Sequence, residues 1–571
     1  MTMRALVIGD DTRSFLAVVR SLGRAGWEVD AAPFDFSSAA LRSHYLRRIH
    51  RLPPHSLSAE RWVERLRALI ETEHYDLILP CDDRGLIPLQ GHAGELGDVP
   101  LALPNDEAMA VFFDKDETRR LAAALDIPVA PGRLLARDDK AADLAAMFGL
   151  PLALKPRASY TLGQAGAKAS VRIVRSAEAL AQALAGIRER GHWLVEGFFR
   201  GEGVGLSVLA DRGEIRLAFQ HRRLHEASET GGSSSRIGEA VDPRLLQAVG
   251  AMARATRLHG VAMFEFRRAG ADFILLEVNC RFWGSLPLAV ASGVDFPAAA
   301  AALHTGRALP ASAGGYRPGL VLKDLGGEYY RILRRASAAG ALPIKALRAA
   351  AGLATLALAL PFGRRFDSFA ADDPAPWQRQ RAQLLRGVST ALVKRLPLLD
   401  RRRRGSRAAL RRLARNLAEG RRGVIMLCHG NICRSPFAEH RLREKAGAAG
   451  LDLSVISAGT IGLEGRSSPE DALAVARRWG TDLSGHRSRF LDVEDALAAG
   501  AVIVFDDKNV DELRRLGLNG DINLLRLAHL TGQREIGDPY GHGPDGFADA
   551  YGKIDRAVDT LVAGLVREAA R

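Results

Sequence analysis

Cysteine is scarce in this chain: Cys81, Cys280, Cys428 and Cys433 are the only four among 571 residues. They are too few and too scattered for a disulfide scaffold and lack the paired clusters of a zinc site, which suits a reducing compartment. Long apolar runs are missing too. The longest candidate, residues 349–360, falls well short of the ~20 residues a membrane-spanning helix needs. The opening MTMRALVIGDD has no basic segment followed by an apolar one and a small-residue cleavage site, so the expected location is cytoplasmic. Aromatics make up only 6% of the chain, and the formal charge of +14 is concentrated in one place. Residues 394–422 hold twelve basic and two acidic side chains. A basic face spread over a folded domain with aromatics between the charges is absent, so no nucleic-acid partner is expected.

A chain of this length needs several cores, at roughly 100 to 200 residues each. Residues 1–105 alternate strand, turn and helix (RALVIGD, WEVDAAP, YDLILPCDD), the pattern of an open parallel sheet of Rossmann-like type. Residues 106–318 continue as mixed α and β sequence, with PLALKP, ASVRIV, WLVEGF, LSVLAD and FILLEVN as strands. Between 319 and 421 strand signals vanish. Ala, Leu and Arg recur at helical spacing, broken at Pro343, Pro361, Pro374, Pro376 and Pro397, which predicts a basic helical connector. From 422 to 571 the βα alternation resumes with VIMLC, SVISAG, AVIVFDD and INLL. The fold class is α/β.

In residues 424–436, VIMLCHGNICRSP, an apolar strand delivers Cys428 into a short loop before a helix that starts near Pro436, with Gly430 permitting the turn. Loop N–H groups and a helix N-terminus make an anion nest, Arg434 can grip two phosphate oxygens, and the same field favours the thiolate form of Cys428. The motif Cys-x-Gly-Asn-x-Cys-Arg-Ser-Pro resembles that of the low-molecular-weight protein-tyrosine phosphatases, and the resemblance extends over the whole C-terminal segment through SAGT (457–460), GHRSR (485–489), FDDKN (505–509) and DPY (538–540). It implies a four-stranded parallel α/β domain that needs no cofactor. Cys428 would be the nucleophile, Arg434 the phosphate ligand, Ser435 the thiolate's partner, Asn431 the residue that holds the loop, and Asp538 the general acid. Cys433 would form a reversible disulfide that shields the nucleophile. Leu463 stands where the family often has an aromatic wall, which is similar to the bacterial branch acting on tyrosine kinases of capsule and exopolysaccharide export. Ile432 argues for an aryl phosphate, and no cysteine follows Cys433 as arsenate reductases of this fold would need. His429 replaces the usual apolar residue and has no assigned role.

ATP-dependent activation of a carboxylate needs lysines on the phosphates, a mobile lid, an adenine hinge and oxygen ligands for Mg²⁺. Those features occur in order: Lys115 at a helix start, Lys155 at a strand end, a small-residue stretch at 158–168, a hinge at 194–199 with Glu196 and Phe198, and Glu202 within reach of a ribose. Glu265, Glu277 and Asn279 follow on neighbouring strands, then Arg281. Over residues 1–320 the chain resembles the ATP-grasp carboxylate–amine ligases, with a Rossmann-like domain ahead of two α+β lobes. The resemblance implies ATP, Mg²⁺, an acyl phosphate, and a small-molecule carboxylate and amine as substrates. Arg281 would stabilise the transferred phosphoryl group.

Residues 219–235 are expected to border the substrate pocket, and Arg222 and Arg223 within them either bind a substrate carboxylate or sit on an exposed loop. The arginines of 401–415 either lie on a solvated linker helix or touch an acidic surface, peripheral membrane included. Two enzymes in one chain, plausible in cell-surface polysaccharide production, are therefore expected; the alternatives are a non-catalytic ATP-binding sensor regulating the phosphatase, or a phosphopeptide-binding module.

Overall fold

The structure is a computed structural model that describes residues 2–158, 171–228, 231–310, 315–337, 342–359, 363–393, 402–518 and 520–570. The lid expected at 158–168 lies, beyond its first residue, outside them. Two compact units emerge: one of residues 1–33, 38–52 and 60–384, the other of 34–37, 53–59 and 385–571.

The first unit opens with β1 (Arg4–Ile8), β2 (Glu28–Ala32), β3 (Leu46–Ile49) and β4 (Leu77–Pro80), all parallel in the order β3-β2-β1-β4. Leu6, Val7, Leu77, Ile78 and Leu79 are fully buried, as strands covered on both faces must be. The chain order reverses between β1 and β4, where open α/β sheets place their ligand crevice. Gly9 follows β1 in an extended positive-φ conformation, and a side chain there would meet Cys81 at 2.9 Å. Glycine is needed for the two strand ends to approach.

A smaller antiparallel sheet follows, β5 (Gly132–Leu134), β6 (Leu152–Pro156), β7 (Arg172–Val174) and β8 (Trp193–Gly197), in the order β5-β8-β6-β7. The larger sheet comprises β9 (Glu202–Asp211), β10 (Glu214–Ser228), β11 (Gly231–Glu239), β12 (Gly260–Ala269), β13 (Asp272–Asn279) and β14 (Val321–Lys323), in the order β13-β12-β9-β10-β11-β14. Val204, Leu206, Val208 and Ala210 alternate along β9 and bury one face beneath helix Pro243–Ala255. β14 corrects the expectation that strands end before residue 319. It pairs with β11 through Ile237↔Val321, and helix Leu325–Ser337 then packs with Phe366 and Trp377 in the same unit.

In the second unit β15 (Gly423–Cys428), β16 (Ser454–Gly459), β17 (Ala501–Val504) and β18 (Leu524–Arg526) form a four-stranded parallel sheet in the order β16-β15-β17-β18, the arrangement expected. Helix Gly543–Ala569 covers one face, and its Tyr551 ring stacks on Phe437 at 3.9 Å. Helix Arg402–Ala418 carries part of the basic run. Its Ala409, Leu410 and Leu413 are buried in the same core as Val424 and Met426, so this end of the expected connector packs into the phosphatase-like unit. Among the described residues, no helix is long and apolar enough to cross a membrane.

Candidate active sites

β15 ends at Cys428 and helix Arg434–Ala448 begins six residues later. None of the peptide N–H groups of residues 429–433 donates to an acceptor among the described residues. Asn431 shapes the loop. It takes the left-handed conformation at φ 50°, which asparagine tolerates better than most residues. Its Nδ2 donates to Ser435 Oγ and Ser457 Oγ, both at 2.9 Å, and its Oδ1 accepts from the Arg489 N–H at 2.9 Å. Ser435 Oγ lies 3.0 Å from Cys428 Sγ.

Arg434 is buried, donating to Asp506 Oδ2 at 2.6 Å and the Ile536 carbonyl at 2.9 Å, with Asp538 Oδ2 at 3.2 Å. Burial works against its charge, yet Cys428, Asp538 and Asp506 outweigh that and raise its pKa. Cys433 is buried as well; burial, then the neighbouring Cys428, push its thiol pKa up. Its carbonyl accepts from Tyr551 Oη at 3.2 Å. Gly430 lies against Arg466, whose Nη2 donates to the Gly430 carbonyl at 2.7 Å. Every residue expected at this site converges on one loop or its rim. Asp506 and Glu512 were not anticipated, although Asp506 lies inside the FDDKN motif.

The first unit holds a cavity of about 500 Å³. Lys115, Lys155, Glu196, Phe198, Arg223, Glu265, Glu277, Asn279 and Arg281 all line it. Asp114 caps the helix that begins at Lys115, accepting from the N–H groups of Asp116 and Glu117. Lys155 forms an ion pair with Glu196, which Arg119 also reaches at 3.1 Å. Glu265 and Glu277 are register partners across β12 and β13, and Asn279 lies two residues on, on the same face as Glu277. Arg223 pairs with Glu265. Arg281 binds Asp83 at 2.7 Å and donates to Asn279 Oδ1 at 3.2 Å; burial opposes its charge but Asp83 prevails and raises its pKa.

Glu202 and Arg222 do not line the cavity. Successive strand residues face opposite ways, so Arg222 and Arg223 cannot both point inward. His221 and Arg223 share the cavity face with Gly203 and Gly205, at both of which a side chain would collide with them. Arg222 and Glu202 pair with each other at 3.2 Å on the other face. His221, Gly232 and Ser233 line the cavity from residues 219–235, the stretch expected at the substrate pocket, whereas Arg13, Arg236 and Trp283 also line it and carried no local signature in the sequence.

Residues 423–571 match the family model described as low molecular weight phosphotyrosine protein phosphatase, and residues 189–321 match one described as ATP-grasp in the biosynthetic pathway with Ter operon. The probable low molecular weight protein-tyrosine-phosphatase AmsI of Erwinia amylovora is 31% identical over 144 residues, 25% of this chain and 97% of that protein. The corresponding EpsP of Ralstonia nicotianae is 32% identical over 139 residues, 24% of this chain and 92% of its own. Among solved structures, the biotin carboxylase domain of the Hydrogenobacter thermophilus 2-oxoglutarate carboxylase overlaps at 16% identity and a TM-score of 0.46, covering 56% of this chain and 73% of that one, too distant to bear on function. Through its C-terminal domain the chain belongs to the low-molecular-weight protein-tyrosine-phosphatase family, and an ATP-grasp region stands ahead of that domain.

Proposed function

We propose that the C-terminal domain dephosphorylates phosphotyrosine proteins through a cysteinyl-phosphate, and that the N-terminal half couples ATP cleavage to the joining of a carboxylate and an amine. The observation that carries the first part is the single loop on which Cys428, Ser435 and Arg434 meet, with Asp538 at its rim. The Cys428 thiolate attacks phosphorus and the bond to the aryl oxygen breaks as Asp538 gives that oxygen its proton. Asp538 then takes a proton from water as the water attacks phosphorus, releasing phosphate and restoring the thiolate. General acid–base help of this kind is worth about 10²- to 10⁴-fold in rate. Leu463 supports a bacterial tyrosine kinase of surface-polysaccharide export as the phosphoprotein.

For the second half, two facing carboxylates and an amide oxygen suit a hard divalent cation, so Glu265, Glu277 and Asn279 would hold Mg²⁺. When bound, Mg²⁺ neutralises charge on the ATP phosphates. Lys115 and Lys155 would hold those phosphates, Phe198 would pack near the adenine, and Arg281 would meet the phosphoryl group passed to the substrate carboxylate. An acyl phosphate captured by an amine is the product-forming step.

Purified protein is expected to hydrolyse aryl phosphates and to lose that activity in Cys428→Ser. It is also expected to release ADP only when both a carboxylate and an amine are supplied. Hydrolysis surviving Cys428→Ser overturns the first part; nucleotide binding without ADP release from any carboxylate and amine pair favours a sensor.

A further inference from the structure

His429, next to the nucleophile, is held by more than its backbone. Its Nδ1 lies 2.6 Å from Glu512 Oε1. Burial raises the Glu512 pKa, but the hydrogen bonds from His429 and Thr460 outweigh it and leave that pKa lowered. Glu512 is therefore an ionised acceptor, so Nδ1 carries the proton and donates. The other carboxylate oxygen accepts from Thr460 Oγ1 at 2.6 Å. Thr460 in turn donates its N–H to the His429 carbonyl at 2.9 Å, closing a ring of contacts around that peptide.

Glu512 belongs to helix Asp507–Arg515. The capping residue of that helix, Asp506, accepts from the Asn509 N–H and also from Arg434 at 2.6 Å. One helix thus grips the catalytic loop at two points, about 9 Å apart along its axis at 1.5 Å per residue. One grip holds the phosphate-binding arginine and the other the residue after the nucleophile. With leucine in place of His429 the peptide after Cys428 would lose its side-chain tie to Glu512, and Glu512, 8% exposed, would lose a charge-assisted partner.

We propose that His429 is a positioning residue of the phosphatase: through Glu512 it fixes the peptide after Cys428 to the same helix that holds Arg434. This rests on the cysteine-dependent reading above. In-line attack requires sulfur and guanidinium to keep one relative geometry, and a small displacement of such groups costs on the order of 10- to 100-fold in rate.

The test uses the full chain with p-nitrophenyl phosphate. His429→Leu is expected to lower kcat by about 10- to 100-fold with KM unchanged. His429→Asn, whose side-chain N–H can reach the same carboxylate, should regain most of the lost kcat. Protection of Cys428 from iodoacetamide by inorganic phosphate should weaken in His429→Leu and return in His429→Asn. Wild-type kcat in His429→Leu, or a His429→Asn variant as slow as His429→Leu, overturns the proposal while leaving the phosphatase reading intact. Wild-type protein whose hydrolysis is indifferent to Cys428→Ser overturns both.

Discussion

Arg434 and Asp538 face each other at the phosphatase loop, guanidinium Nη2 to carboxylate Oδ2 at 3.2 Å, the arginine side chain 1% exposed and the aspartate 43%. A fixed cation beneath and a solvated carboxylate above suit a site in which the phosphoryl group enters between them. On the proposed function, the arginine would then meet phosphate oxygens and the aspartate would stand beside the leaving oxygen.

Asp538→Asn should therefore lower kcat/KM for phenyl phosphate, whose leaving group needs a proton, by about 10²- to 10⁴-fold. For p-nitrophenyl phosphate, which leaves readily as an anion, the loss should be smaller. Comparison of kcat/KM on the two substrates, which reports the steps up to the cysteinyl-phosphate, checks this; equal losses in kcat/KM on both would remove Asp538 from protonation of the leaving oxygen.

Asn431 is the second case. Replacing it with alanine leaves Ser435, Ser457 and the Arg489 N–H without a shared partner in a buried site, at about 1–3 kcal/mol for each group left unsatisfied. Alanine at φ 50° adds about 1 kcal/mol of backbone cost. The expected outcome is a denaturation midpoint of the phosphatase unit several degrees lower, together with loss of kcat, read by circular dichroism and aryl-phosphate turnover.

The phosphatase loop was legible in the sequence because its chemistry is local: strand, turn, cysteine, arginine and helix start fall within thirteen residues, and each has a propensity that can be read alone. The cavity of the first unit was legible where a short local pattern carries the residue, as with Lys115 at a helix start, Lys155 at a strand end, and Glu265, Glu277 and Asn279 on neighbouring strands. The pair Arg222 and Arg223 could have been separated by the alternation of residues along a strand. β14 was not legible, because three residues at a sheet edge show no periodicity and pair with β11 only through tertiary contact. Arg236 stayed hidden for a similar reason: it is brought to the cavity wall by neighbours far along the chain.

His221 gives a pH prediction. Burial, and then repulsion from Arg223 and Arg236, lower its pKa from 6.5 to about 3. Below pH 6.5 the unfolded chain takes up a proton that the folded one refuses, so stability falls as pH falls, by up to about 1.4 kcal/mol per pH unit, until the folded pKa is reached. His304, lowered to about 4 by burial and by His259, adds to the same window. The urea midpoint of the first unit should hold between pH 8 and 7 and drop between pH 6 and 4. His221→Asn should flatten that drop; an unchanged slope would place the protons elsewhere.

Arg236 and Asp367 supply the last prediction. Their side chains are 1% and 2% exposed and form an ion pair, and Arg236 also donates to the Gly284 carbonyl at 2.9 Å. Asp367 comes from beyond β14, yet its N–H binds the Lys323 carbonyl at 2.9 Å, and nearby Asp373 takes the Arg20 guanidinium at 2.9 Å. The stretch expected as a connector therefore backs the cavity wall. Burial raises the Asp367 pKa and Arg236 opposes it, so neither charge is comfortable alone. Removing one partner strands the other, at about 3–5 kcal/mol, whereas replacing both with apolar residues of similar volume is often neutral. Asp367→Ala and Arg236→Met should each destabilise the first unit by that amount, and Arg236→Met with Asp367→Leu should recover most of it. If Arg236 also serves the reaction from the cavity it lines, ADP release will stay low in the double variant although its stability is recovered. Denaturation followed by tryptophan fluorescence, with ADP release measured alongside, separates the two effects. A double variant that regains both would make the pair purely structural.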